Sequence, residues 1–243
     1  MEAVAIRVVL LDVEGTTTPV GFVYETLFPY ARANLGPFLA ERLGDRPVAD
    51  AVQLLAGERS REAEAPGLPA WDDGSPDSRA TSAAAYARWL MDRDRKSTGL
   101  KALQGMIWEQ GYRAAELSGQ VYPDVPPALE LWRRRGLRVA IFSSGSILAQ
   151  KLLFKSTPGG DLLPLIAAHF DTTTGSKLES ESYARISAAL GSAPPEVMFV
   201  SDVIAELDAA RQAGMATRLC VRGPSGPEGS GHRVVRELAS LLE

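Results

Sequence analysis

Short runs of apolar residues alternate along the chain with segments of helical periodicity, and this alternation predicts the fold. The apolar runs are Ile6–Leu11, Leu137–Phe142, Val197–Val200 and Ala216–Val221. Each run ends in small, polar or turn-forming residues, which is typical of short strands buried on both faces of a sheet. The helical patterns lie at Pro127–Arg135, Ile147–Phe154, Ser180–Leu190 and Ala205–Ala213. This order predicts an α/β fold in which helices cover both faces of a parallel sheet.

The segment from residue 21 to residue 120 breaks this alternation, because it contains helical patterns and no convincing strand. Two sets of residues mark helical faces: Ala83, Tyr86 and Leu90, and Leu100, Leu103, Ile107 and Ala114. Ala65–Ser78 is rich in Pro, Gly and Asp and is predicted to be a loop. We therefore predict a Rossmann-like α/β core of residues 1–20 and 121–243. An all-helical cap of residues 21–120, inserted after the first strand, is placed to act as a lid.

The last residues of the chain carry weaker signals. Val234, Leu238 and Leu241 recur at helical spacing and predict a closing amphipathic helix. The glycine-rich Gly223–Gly231 predicts a loop. Cys220 lies within an apolar run and is expected to be a small buried hydrophobe.

The composition narrows the chemistry that the chain can perform. Its 243 residues include one cysteine and two histidines, so neither an internal disulfide nor a Cys/His zinc cluster is available. A Ser-His-Asp or Cys-His enzyme would have to use His169 or His232. We expect His169 to be structural and assign no function to His232. Carboxylates are therefore the favoured agents of any acid–base or nucleophilic chemistry.

Charge and hydropathy argue against two classes of partner. The chain has 26 basic and 30 acidic residues, a net charge of -4, so it lacks the excess positive charge typical of proteins that bind nucleic acid. Arg7, Asp12 and Glu14 interrupt the N-terminus, so it has no apolar segment of signal-peptide length. No apolar run approaches the roughly 18 residues of a membrane span. We expect a cytoplasmic protein that binds neither membrane nor nucleic acid.

Polar residues that can carry chemistry stand where the predicted strands end. They are Asp12, Glu14, Ser143, Ser144 and Asp202. Ligands of open α/β sheets bind outside the carboxyl ends of the strands, so these side chains are expected to share one cleft. Asp12 and Asp202 would repel each other there unless a hard cation held them. Oxygen ligands of this kind suit Mg²⁺, which also bridges to a substrate phosphate.

Phosphoryl transfer accounts for the remaining polar residues. Lys177, just before a helix that begins near Ser180, can neutralise both a phosphoryl oxygen and a nucleophilic aspartate. The turn Ser143–Gly145, where a strand leads into a helix, is a favourable place for a phosphate. Asp12 could attack phosphorus and form an aspartyl-phosphate. Glu14 could protonate the leaving oxygen and later activate water.

Four motifs, taken in order, resemble those of the haloacid dehalogenase (HAD) superfamily of phosphohydrolases. They are Asp12-Val13-Glu14-Gly15-Thr16, Ser143, Lys177 and Ser201-Asp202. An isolated Asp-x-Glu after a strand is usually a turn with solvated acids, but the four motifs together favour a phosphatase site. Over nearly the whole chain the sequence is similar to the enolase-phosphatases of methionine salvage, in which Glu replaces the second Asp of the usual Asp-x-Asp. Met106 departs from this family, which often has His there.

The resemblance implies a bifunctional, Mg²⁺-dependent enzyme with one ion per subunit, acting as a monomer on a small phosphorylated diketone. The reaction it implies is enolisation of 2,3-diketo-5-methylthiopentyl 1-phosphate, followed by hydrolysis to the acireductone 1,2-dihydroxy-3-keto-5-methylthiopentene. The metal positions it implies are Asp12, Glu14 (through its backbone carbonyl) and Asp202. The catalytic positions it implies are Asp12, Glu14 and Lys177. The phosphate-binding positions it implies are Ser143, Ser144 and Lys177.

Alternatives remain open at this stage. The base that removes the C1 proton is unassigned, with Glu14 as the first choice and a lid residue as the second. The chain could instead be a HAD phosphatase of another small phosphorylated metabolite, without enolase activity. A catalytically inactive binding module is a third reading, against which the intact set of motif residues argues.

Overall fold

The computed structural model describes residues 5–62, 65–224 and 229–241. This part of the chain contains six β-strands: β1 (Val8–Leu11), β2 (Arg138–Phe142), β3 (Ala168–Phe170), β4 (Val197–Ser201), β5 (Ala216–Cys220) and β6 (Arg233–Val235). It also contains eight α-helices: α1 (Phe28–Arg42), α2 (Arg46–Arg61), α3 (Pro76–Met91), α4 (Thr98–Arg113), α5 (Val125–Arg134), α6 (Ile147–Lys155), α7 (Ser180–Ala189) and α8 (Ile204–Gln212). The described residues divide into an α/β unit, up to Val23 and from Ser118 onward, and a helical unit, Tyr24–Leu117.

The sheet of the α/β unit is entirely parallel, in the order β3-β2-β1-β4-β5-β6. β1 lies between β2 and β4, with Leu10 opposite Ala140 on one side and Phe199 on the other. After β1 the chain adds β2 and β3 on one side of it. The chain then crosses to the other side of β1, where β4, β5 and β6 follow. The carboxyl end of β1 is therefore the switch point at which sheets of this kind bind ligands. The predicted α/β class with a parallel sheet is confirmed.

Apolar side chains on both faces of this sheet form its core. All four residues of β1 are 0% exposed. The ring of Tyr183, on α7, packs against Phe142 and Phe199 with centroid distances of 5.5 and 5.1 Å. Burial of one large apolar side chain contributes about 1.5–3 kcal/mol. Asp12 directly follows β1, so a rigid, fully buried strand determines where its side chain begins.

The helical unit buries the faces that the sequence predicts. Among the expected residues, Ala83, Tyr86, Leu90, Leu100, Leu103 and Ile107 are all at most 5% exposed. Ala114 instead lies exposed at the C-cap of α4, so its inclusion in that face was wrong. No strand occurs in the described residues of this unit. None of the helices described anywhere in the chain is long and apolar enough to cross a membrane.

The loop predicted for Ala65–Ser78 ends earlier than expected. α3 begins at Pro76, and the side chain of Ser75 accepts a hydrogen bond from the backbone N–H of Ser78. Proline at the first helical position loses no hydrogen bond, and a serine N-cap satisfies one of the free N–H groups. Pro76 therefore starts the helix rather than extending the loop.

The predicted closing amphipathic helix is wrong. Arg233–Val235 forms β6, paired in parallel with β5, and only a single turn of 3-10 helix follows at Leu238–Ser240. Val234 is 44% exposed whereas Val235 is 5% exposed, so exposure alternates as it does in a strand. Two adjacent β-branched residues at the open edge of the sheet favour pairing over helix. Of the loop predicted for Gly223–Gly231, residues 225–228 lie outside the described residues.

His169 lies in β3, and its Nδ1 is 3.1 Å from Oε1 of Gln150. Burial, followed by the charge of Lys151, lowers the pKa of His169 to about 4. His169 therefore binds a proton more readily in the unfolded chain than in the folded one. The stability that neutral His169 provides is complete above about pH 6.5 and declines as the pH falls toward 4. We expect the free energy of unfolding of the wild type, relative to His169→Asn, to fall by about 1–2 kcal/mol between pH 7.5 and 5. Chemical denaturation at both pH values measures this, and a constant difference would contradict it.

Candidate active site

Three strand ends bring the predicted site residues to one edge of the α/β unit. Asp12 follows β1, Ser143 follows β2, and Asp202 follows β4. These strands are neighbours in the sheet and run in the same direction, so their carboxyl ends lie side by side. Asp12 and Ser143 are 2% and 1% exposed, and each is thus held in a fixed position.

Lys177 forms the centre of a buried ion-pair network. Its Nζ lies 2.5 Å from Oδ1 of Asp12 and 2.6 Å from Oε2 of Glu206. The hydroxyl of Ser201 donates to the same Glu206 oxygen at 3.0 Å. The hydroxyl of Tyr183 donates to the backbone carbonyl of Lys177 at 2.8 Å, which fixes the start of the lysine side chain. The predicted pairing of Lys177 with the candidate nucleophile is therefore present in the structure.

Glu206 was not predicted as a site residue. It lies in the first turn of α8, four residues after Asp202, and is 9% exposed. The sequence did hold a signal, because Glu206 precedes Ala209 and Ala210 by three and four residues and so shares the apolar face of the predicted helix. A carboxylate on a buried helical face requires a partner, and Lys177 supplies it.

Glu14 and Ser143 form a second contact at the same edge. The Ser143 hydroxyl donates to Oε2 of Glu14 at 3.1 Å and accepts from the backbone N–H of Gly145 at 2.9 Å. Ser144, the next residue, is exposed. A hydroxyl between a carboxylate and a backbone N–H can turn toward a bound phosphate, because its O–H rotates freely about the C–O bond.

Two N–H groups at the N-terminus of α6 already bond to protein groups. The backbone N–H of Ile147 donates to Oδ2 of Asp171 at 3.2 Å, and that of Ala149 donates to the hydroxyl of Ser146 at 3.2 Å. These N–H groups are the ones that would otherwise attract an anion. These two N–H groups are therefore engaged within the protein, and the phosphate-binding roles predicted for Ser143, Ser144 and Lys177 stay predictions.

Gly15 lets the loop after β1 pass directly against Asp202. Its φ is +75°, and a Cβ at this position would lie 2.1 Å from Oδ2 of Asp202. The other oxygen of Asp202, Oδ1, is buried with no hydrogen-bond partner among the described residues. The loop and the carboxylate thus approach each other more closely than any residue with a side chain would allow.

Buried carboxyl groups outnumber the ammonium group at this edge. Burial raises the pKa of Asp12 and of Glu14, and the charge of Asp12 raises that of Glu14 further. Burial, then Asp12, raises the pKa of Asp202 to about 6, and burial raises that of Glu206 to about 7 despite Lys177. Burial lowers the pKa of Lys177, but Asp12 and Glu206 outweigh it and raise the pKa overall. A bound cation would relieve the repulsion among these carboxylates.

The donor set suits a cation that keeps much of its water. No three His, Cys, Asp or Glu side chains converge into a ready metal cage within the described residues. Mg²⁺ commonly uses only one or two carboxylates, completing its six ligands with water and substrate phosphate. Asp12, Asp202 with its unpartnered oxygen, and the backbone carbonyl of Glu14 can supply such a set.

The two histidines are engaged elsewhere. His169 contacts Gln150, and the Nδ1 and Nε2 of His232 lie 2.8 Å from Thr217 Oγ1 and 3.2 Å from Asp208 Oδ1. Cys220 is buried, and burial raises the pKa of its thiol to about 11, so it is not poised as a nucleophile. These placements agree with a site that works through carboxylates.

Replacement of Gly15 by Ala tests the close approach to Asp202. We expect kcat to fall at least about tenfold, because a shift of the order of 1 Å in a residue that positions the reacting groups is costly. Gly136→Ala is the matched control, since Gly136 has a φ of +74° and nothing within 4 Å of its added Cβ. Both variants carry the positive-φ cost of about 1 kcal/mol, but only Gly15→Ala should lose turnover. Equal losses of kcat in steady-state assays would refute the interpretation.

The fold and the site together define a haloacid dehalogenase-like hydrolase, and the family model of that description matches residues 6–214. Enolase-phosphatase E1 of Synechococcus elongatus is 52% identical over 219 residues, 90% of each chain. Enolase-phosphatase E1 of Pseudomonas aeruginosa is 45% identical over 240 residues, 98% of each chain. The crystal structure of the UTR4 protein of Saccharomyces cerevisiae is similar with a TM-score of 0.75 at 34% identity, covering 96% of this chain and 98% of that one. The chain belongs to the enolase-phosphatase family of haloacid dehalogenase-like hydrolases.

Proposed function

We propose that this chain enolises 2,3-diketo-5-methylthiopentyl 1-phosphate and then hydrolyses the phosphate, giving the acireductone 1,2-dihydroxy-3-keto-5-methylthiopentene of methionine salvage. Family membership supports the reaction. The observation that carries the chemistry is the Asp12–Lys177 pair, with atoms 2.5 Å apart at the switch point of the sheet. Such a pair holds a nucleophile and a phosphate-neutralising cation together in a water-poor environment.

In the hydrolytic step, Asp12 is the nucleophile. Lys177 holds one carboxylate oxygen, so the other attacks phosphorus while the bond from phosphorus to the substrate oxygen breaks. Glu14, which carries the proton taken from the substrate during enolisation, gives that proton to the leaving enolate oxygen. Glu14 then takes a proton from water, which attacks the aspartyl-phosphate and releases inorganic phosphate and free Asp12. Ser143, Ser144 and Lys177 bind the phosphoryl oxygens throughout.

Asp12, Asp202 and the backbone carbonyl of Glu14 would hold one Mg²⁺. The fit rests on the buried, unpartnered Oδ1 of Asp202 and on the excess of buried carboxyl groups over ammonium. When bound, the ion supplies neutralisation of phosphate and enediolate oxygens. Ser143 and Lys177 lie outside this donor set and remain available for the substrate.

For the enolisation step, we propose Glu14 as the base that takes the C1 proton. Its carboxylate is buried, and Ser143 orients it by a hydrogen bond of 3.1 Å. A base from the helical unit is the alternative. Substitution of Glu14 by Gln should then stop enol formation as well as phosphate release, whereas a base in the helical unit would leave enol formation intact.

The test is anaerobic incubation of the full chain with the diketone phosphate and Mg²⁺. Enol absorbance and inorganic phosphate are followed together. We expect enol absorbance to rise before phosphate is released, and EDTA to stop phosphate release. Phosphate without an enol species would indicate a plain phosphatase of the same superfamily. Neither product would indicate an inactive binding module.

A further inference from the structure

We propose that Arg222, paired with Asp124, is a positioning residue that holds the catalytic loop, defined as Asp12–Thr18, against the end of the sheet. The proposal deepens the proposed function and rests on the role of Asp12 as nucleophile. Arg222 follows β5, and Asp124 immediately precedes α5. Neither residue lies in the motifs that identify the family.

Arg222 binds the loop at the carbonyl of Thr16. Its Nε donates to this oxygen at 2.9 Å and its Nη2 at 2.5 Å. Its Nη1 donates to both carboxylate oxygens of Asp124, at 2.9 and 2.8 Å. The guanidinium also lies 4.3 Å from the centroid of the Tyr122 ring. The side chain is 11% exposed, so these contacts are shielded from water.

Asp12 bonds to the sheet, since its N–H donates to the carbonyl of Val200 at 3.0 Å, but the rest of the loop depends on such outside contacts because the N–H groups of residues 15–18 turn inward. The backbone N–H groups of Thr16, Thr17 and Thr18 all donate to the carbonyl of Val13, and that of Gly15 donates to the carbonyl of Thr18. These bonds shape the loop but do not orient it relative to the sheet. Two of its carbonyls accept hydrogen bonds from outside the loop. The carbonyl of Thr16 accepts from Arg222, and that of Thr17 accepts from the N–H of Tyr122 at 2.9 Å.

Asp124 fixes the arginine in turn. Besides Arg222, its Oδ2 accepts the backbone N–H of Leu238 at 2.7 Å. The pair thus joins three parts of the α/β unit: the catalytic loop, the start of α5 and the residues after β6. Only a planar guanidinium can present two N–H groups to one carbonyl and a third to a carboxylate. Lysine would keep the charge and lose this arrangement.

The position of Thr16 makes this contact relevant to catalysis. The adjoining Gly15 faces Asp202, and Asp12 lies four residues away at the other end of the loop. A loop that moves by the order of 1 Å would displace Glu14 and Gly15 relative to Asp12, which β1 holds in place, and cost about 10–100-fold in rate. Ser143 and Lys177 lie outside the loop, so binding of the substrate phosphate should be largely preserved.

The experiment uses the full chain with Arg222→Lys and Asp124→Asn. Arg138→Met is the control, because Arg138 also donates to a backbone carbonyl and a side chain, Leu190 O and Ser192 Oγ, both at 2.8 Å. We expect Arg222→Lys to lower kcat by about 10–100-fold with KM within about threefold of wild type. Hydrogen exchange at residues 13–18 should quicken at least about tenfold. Asp124→Asn should also lower kcat and quicken exchange at residues 13–18. Arg138→Met should change neither quantity.

The outcomes separate this proposal from the proposed function. Exchange at residues 13–18 that matches wild type in both variants would overturn the anchoring role, whatever the activity. A loss of kcat that Arg138→Met reproduces at an equal loss of Tm would show general destabilisation instead. If Arg222→Lys does not fold, Asp124→Asn decides by the same readouts. A wild type without turnover on the diketone phosphate would refute the proposed function, and the exchange rates would still test the anchor.

Discussion

Asp12→Asn should lower phosphate release by at least about 10⁴-fold while the chain remains folded. The substitution keeps the size of the side chain and removes the nucleophilic oxygen that the aspartyl-phosphate step requires. Stability should not suffer, because Asp12 is one of several buried carboxyl groups with raised pKa values around a single lysine. Without Mg²⁺, we expect Tm to equal or exceed that of the wild type. Single-turnover assays and thermal melts measure the two effects.

Asp208→Asn is the control for this prediction. Asp208 lies in the same unit with a side chain 50% exposed, and its ion pair with Arg211 is at the surface. It should keep wild-type turnover. Residual turnover of Asp12→Asn within about tenfold of wild type would exclude a covalent aspartyl intermediate, since loss of a nucleophile costs far more than that. A carboxylate other than Asp12 would then have to act as a base toward water.

The sequence was sufficient to predict which strand ends converge. Asp12, Ser143 and Asp202 each follow an apolar run, and the carboxyl ends of parallel strands face the same edge regardless of the order in which they pair. The α/β class follows from the same alternation. These predictions depend on local periodicity, which a single sequence displays directly.

The missed elements depend on partners far away in the chain. β6 is a strand because β5 offers it a free edge, and its two adjacent valines are too short a signal to outweigh the helical spacing of Val234, Leu238 and Leu241. Glu206 is a site residue because Lys177, 29 positions earlier, reaches it across the network. Arg222 and Thr16 are 206 positions apart. Contacts of this kind follow from packing, so the sequence shows the residue types but not their pairing.

Lys177→Met should lower kcat by about 10²–10³-fold, as expected when a preorganised cation is removed from a charged transition state. It should also destabilise the fold by about 3–5 kcal/mol near neutral pH, because it leaves Asp12 and Glu206 buried without their ammonium partner. The pKa of Glu206, already raised to about 7, loses the attraction that lowered it and rises further. Protonation of Glu206 removes its charge, so the stability difference from wild type should shrink as the pH falls from 8 to 5.

A second substitution separates the two effects of Lys177. Lys177→Met combined with Glu206→Gln removes the uncompensated charge, so we expect most of the lost stability to return while kcat stays low. Lys155→Met, at an exposed position in the same unit, is the control for loss of a lysine and should change neither quantity. Denaturant unfolding from pH 5 to 8 and steady-state assays measure both. If kcat returned together with stability in the double variant, Lys177 would serve the fold alone, and neutralisation of the phosphate would have to come from another group.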